Sequence, residues 1–143
     1  MTLLLLLVQF CLGIGTNLYV VIPAHHSGAH PHNYLAGSAR SLGWAFAHGP
    51  AVLVAHTLLG LILALSGLGV VVQALRCDRR LLSLALVGWG SIIGAGFNGA
   101  SFLDFLDNIS SLIMAVLFAL SVLAYVVMLY LAPSDSTAKT QIG

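Results

Sequence analysis

Apolar residues in this chain run in long unbroken blocks rather than in alternation or narrow stripes. Four such blocks, 2–22, 50–75, 82–104 and 109–131, each reach the roughly 20 residues, at about 1.5 Å each, that carry a helix across a bilayer core. The pattern predicts an all-α fold: an integral membrane four-helix bundle with a long His-rich outer loop between helices 1 and 2. The bundle forms one domain over 1–132. The remainder, 133–143, is polar, lacks apolar periodicity and reads as a disordered tail. The first block has no basic n-region and exceeds the usual length of a secretory h-region, so it reads as a retained span. Within the connection from Pro23 to His48, Ser38 to Ala47 is a candidate interfacial helix, and Tyr34 and Trp44 suit a membrane interface. Pro50 suits the first turn of the second span.

The third block, LSLALVGWGSIIGAGFNGASFLD, carries its small residues like a packing seam. Gly90 and Gly94 form G-x-x-x-G, and Ala95 with Gly99 and Gly96 with Ala100 repeat the spacing that lets helix backbones approach in a membrane. Asn98 lies within the seam and needs hydrogen-bond partners there, because an unpaired amide in hydrocarbon is costly.

Composition agrees with the pattern. The chain is 59% hydrophobic and 6% charged, with a mean hydropathy of +1.04, against roughly 25% charged residues in soluble domains. A net charge of +1 supplies no basic field for nucleic acid, which excludes that class of partner. Cys11 lies within the first span and Cys77 in a charged turn, at depths too different for a disulfide. Arg76, Arg79, Arg80 and Lys139 fall on one side of the predicted spans and Arg40 alone on the other. The positive-inside rule therefore places both termini in the cytoplasm of a multi-pass cell-membrane protein and turns the His-rich loop outward.

Counting depth along each predicted span brings Asn17, His56 and Asn98 to one level, roughly 8–9 Å below the outer surface at 1.5 Å per residue. Ser101 and Asp104 lie near it. Intramembrane polar residues usually face the interior and mark functional sites, so Asn17, His56, Asn98, Ser101 and Asp104 form a predicted outward-opening polar pocket. Interhelical hydrogen bonding is the plainer role for the two amides, and a satisfied structural role is the plainer one for His56.

The sharpest chemical feature is AHHSGAHPH, which holds His25, His26, His30 and His32, with His48 near the same face and His56 beneath it. Imidazole ligates transition metals such as copper and zinc, and these six could supply a first shell. The spacing matches no fixed motif, and a His-rich loop without metal accounts for it equally well. Haem b is the weaker fit, because small haem-binding bundles take axial histidines from different spans and only His56 lies well inside one here.

The blocks IPAHHSGAHPHNY, HGP with His56 eight residues beyond His48, and GAGFNGASFLDF resemble those of small prokaryotic four-span membrane proteins of uncharacterised function. The resemblance covers most of the chain and implies a four-span fold, with no activity attached. No paired carboxylates, activated serine or phosphate-binding glycine loop is present, so the chain reads as a non-enzyme. The expected function is a membrane protein with an outward His-rich metal or haem site, in metal handling or as a redox-complex subunit. The alternative is a non-catalytic auxiliary subunit, homo-oligomeric or part of a larger membrane complex. A transport path is disfavoured, because no charged residue lies in the inner half of any span.

Overall fold

The computed structural model describes residues 1–132; the predicted tail lies outside the described residues. Five α-helices follow one another: α1 Thr2–Tyr19, α2 Tyr34–His48, α3 Ala51–Ala74, α4 Arg79–Phe105 and α5 Asn108–Leu131. Four of them, α1, α3, α4 and α5, are long and apolar enough to cross a membrane. Their large apolar side chains, such as Leu4, Leu65, Leu112 and Leu129, point outward, as lipid-facing positions do. The connection between the first two spans differs from the expected long loop. Its second half is the complete helix α2, begun by Asn33, whose side chain accepts a hydrogen bond from Ala36 N. The cap extends the expected helix by four residues at its start, from Ser38 back to Tyr34, because Asn33 satisfies one of the free amide groups of the first turn.

Side chains also delimit the spans. Asp78 accepts from Arg80 N, which draws Arg79 and Arg80 into α4 rather than leaving them in a turn. Asp107 accepts from Ile109 N at 3.0 Å and starts α5. Between them Leu106 adopts a left-handed conformation, with φ 54°, that ends α4 and reverses the chain.

α4 packs against α2, α3 and α5, while α1 packs against α3 and α5. Leu6, Leu63, Ile92 and Tyr125, one from each long helix, meet in the principal core. Within hydrocarbon no hydrophobic force draws helices together, so close contact and hydrogen bonds carry the association. That contact is closest at Gly88, where a Cβ would lie 2.8 Å from the Tyr125 ring. Ser121 Oγ donates to Gly88 O at 3.1 Å in the same place. Gly67 of α3 admits the Tyr125 hydroxyl and the edge of Trp89, and the Trp89 indole donates to Ala64 O at 3.0 Å. Tyr125 is therefore a core residue, whereas Tyr130, at the end of α5, is exposed.

The glycine seam is corrected by this packing. Gly94 and Gly99 do lie under Leu117 and Met114 of α5, but Gly90 and Gly96 look onto open space. The spacing thus meets a neighbour at only some of its positions, and the deepest helix contact is made by Gly88, outside it.

Candidate functional site

Polar side chains gather in two places: where α2 and the preceding loop cover the end of α4, and midway between α1 and α3. In the first, Asp104 is buried to 1% exposure. Ser38 Oγ donates to its Oδ2 at 2.9 Å and Ser41 Oγ to its Oδ1 at 2.6 Å. One turn of α2 thus presents two hydroxyls to one carboxyl group; Ala45 packs with Leu103 of α4, and Gly37 leaves room for Pro31 of the loop. The loop closes over this contact. His30 N donates to Asp104 O at 2.9 Å, and His26 Nε2 lies 2.9 Å from Leu103 O, a separation at which the ring donates its N–H to the carbonyl. The His26 ring stacks on Trp44, with centroids 4.5 Å apart. Below them Tyr34 donates its hydroxyl to Phe97 O at 2.9 Å and lies 2.8 Å from Ser101 Oγ.

Gly28 and His30 shape the loop. Both have positive φ, 108° and 49°, and a side chain at Gly28 would overlap Ser41 and the carbonyl of Gly37. These turns direct the histidines apart. His26 faces inward, His25, His30 and His32 are exposed, and His48 is exposed at the far end of α2. His30 meets Phe105 edge-on at 6.2 Å, and His56 lies away from all five, against α1. Among the described residues, no three His, Cys, Asp or Glu side chains gather closely enough to hold a metal ion.

The second place centres on His56. Its Nε2 lies 3.4 Å from Nε2 of Gln9, a residue the depth count overlooked. Gly13 and Gly60 make room: a Cβ at Gly13 would lie 3.1 Å from His56 Cε1, and one at Gly60 3.3 Å from Gln9 Nε2. The contact leaves Gln9 Oε1 and His56 Nδ1 buried without partners, and Thr16 Oγ1 on the same face of α1 is likewise unpartnered. The amide nitrogen can only donate, so His56 Nε2 accepts and Nδ1 carries the proton, which leaves the Nδ1–H donor and the Gln9 Oε1 acceptor unmet.

The predicted five-residue pocket does not assemble. His56 turns to Gln9, while Asn98 Nδ2 donates to Gly94 O of its own helix at 3.0 Å. Ser101 joins Tyr34, and Asp104 joins Ser38 and Ser41. Asn17 is exposed. It lies one residue beyond Thr16, and one residue rotates a helical side chain by about 100°. The residues not foreseen are Gln9, Thr16, Ser38 and Ser41. A signal for the first two was present: Thr2, Gln9 and Thr16 recur every seven residues, which holds polar groups on one helix face.

No family model, curated protein or solved structure matches this chain.

Proposed function

We propose that this chain is a non-catalytic multi-pass subunit of a larger membrane assembly, a four-helix bundle with both termini cytoplasmic and α2 lying over its outer end. The observation that carries the reading is the engagement of the outer polar groups with one another. Asp104 takes both serines of α2, and His26 takes a carbonyl of α4 and the Trp44 ring. Such groups hold a shape, and among the described residues they leave no converging donor set for a metal.

The test is an absorption spectrum and elemental analysis of tag-free protein in mild detergent, combined with native electrophoresis of solubilised membranes. The reading expects no Soret band, metal far below equimolar, and migration well above the size of a single chain. Equimolar copper, zinc or iron, or a haem spectrum, would overturn it in favour of a site built from the exposed His25, His30 and His32. Migration as a single chain would remove the larger assembly.

A further inference from the structure

The side of α2 beside its contact with α4, where Arg40 and His48 are exposed and Trp44 is half-buried, carries a second arrangement, unrelated to the subunit reading. Arg40, Trp44 and His48 recur every four residues and so line one side of the helix. With Ser27, Gly43 and Ala47 they bound an open cavity of about 350 Å³. We propose that this cavity binds the phosphate group of a membrane phospholipid.

Its chemistry is that of a phosphate site. The lining holds a guanidinium, an imidazole, an indole and a hydroxyl, all able to donate, and no carboxylate. The nearby Asp104 is buried between α2 and α4, bound to Ser38 and Ser41, so it does not compete for Arg40. Guanidinium is the side chain best matched to phosphate, through paired N–H···O bonds. Trp44 is held in position by the His26 ring stacked on it, and Gly43 leaves open space where a side chain would stand. The height of the cavity indicates the source. His48 is followed within three residues by the first residue of α3, so the site lies level with the start of an apolar span. Headgroup phosphates and interfacial tryptophans occupy that level.

The test is native mass spectrometry of the detergent-solubilised full chain titrated with phosphatidylglycerol, with diacylglycerol, glycerol phosphate and inorganic phosphate as separate probes. The wild type binds phosphatidylglycerol with defined stoichiometry, and Arg40→Gln weakens that binding about tenfold or more, the loss expected for charge-assisted hydrogen bonds. Arg40 is exposed, so this variant keeps its melting temperature and a loss of binding is not a loss of fold. Ser27→Ala, which removes one hydroxyl, weakens binding less. Equal binding by glycerol phosphate retains phosphate recognition and overturns the membrane as its source. Equal binding of diacylglycerol, or unchanged binding by Arg40→Gln, overturns the site.

Discussion

Ser41 and Asp104, 63 residues apart in sequence, are joined by a 2.6 Å hydrogen bond, Ser41 Oγ to Asp104 Oδ1, with Ser41 wholly buried and Asp104 nearly so. Together with Ser38 the bond fixes α2 on α4. Leaving buried donors unpaired costs about 1–3 kcal/mol. Asp104→Ala strands two hydroxyls and is expected to destabilise by that amount, whereas Asp104→Asn retains an acceptor and loses less. Limited proteolysis at the loop preceding α2 reads this out: the Ala variant should be cut faster than the Asn variant, and the Asn variant faster than wild type.

Gly28 makes the same contact dependent on backbone shape. At φ 108°, with Ser41 where a Cβ would stand, Gly28→Ala combines strain with overlap and is expected to cost about 1–3 kcal/mol. Its melting temperature in detergent should fall while Gly43→Ala, in open space, stays within error of wild type. Equal stability of the two variants would show that the loop does not hold the conformation described.

The glycines of α4 separate in the same manner. At Gly88 a methyl group meets the Tyr125 ring at 2.8 Å, and at Gly90 it meets nothing within 4 Å. Gly88→Ala should therefore lower thermal stability by the 1–3 kcal/mol, or about that, typical of overpacking. Gly90→Ala should be neutral or gain up to about 1 kcal/mol in helix propensity. Gly94→Leu should fall between Gly88→Leu and Gly90→Leu, because the Leu117 side chain above Gly94 can move. A paired melting series in one detergent decides the order.

For Gln9 and His56 the expectation concerns the pair more than either member. His56→Leu leaves the Gln9 amide, whose oxygen is already buried, without a partner and should destabilise by about 1 kcal/mol or more. Replacing both by leucine removes the two unmatched atoms together, and the double variant should be at least as stable as wild type. A double variant less stable than either single one would mean that the polar contact contributes more than its geometry implies.

The long helices were legible in the sequence because length and hydropathy are sufficient to define a span. Their azimuths and relative heights were not. Counting depth sets Asn17 level with His56, but the α1 residues opposite His56 are Gln9 and Gly13, while Gly15 meets Val52, so Asn17 lies further along the helix and is exposed. The G-x-x-x-G pattern failed similarly: Gly90 satisfies the spacing but is turned outward, and Gly88, with no such signature, receives Tyr125. The histidines stand close together in sequence and apart in space because Gly28 and His30 bend the chain between them. Ser38 and Ser41 carry no signal in the sequence, because their partner Asp104 lies more than 60 residues away.

The placement of α2 has a consequence for how the protein is made. Every side-chain hydrogen bond from α2 to α4 draws on residues 63 to 67 positions further along, at Phe97, Ser101 and Asp104. A chain synthesised from its amino end therefore releases α2 before its docking surface exists. Part of the segment is amphiphilic enough to wait at the bilayer surface, with Trp44 as an interfacial anchor. The second helix to be translated is in this sense seated only after the fourth, and its maturation must follow insertion of the third span.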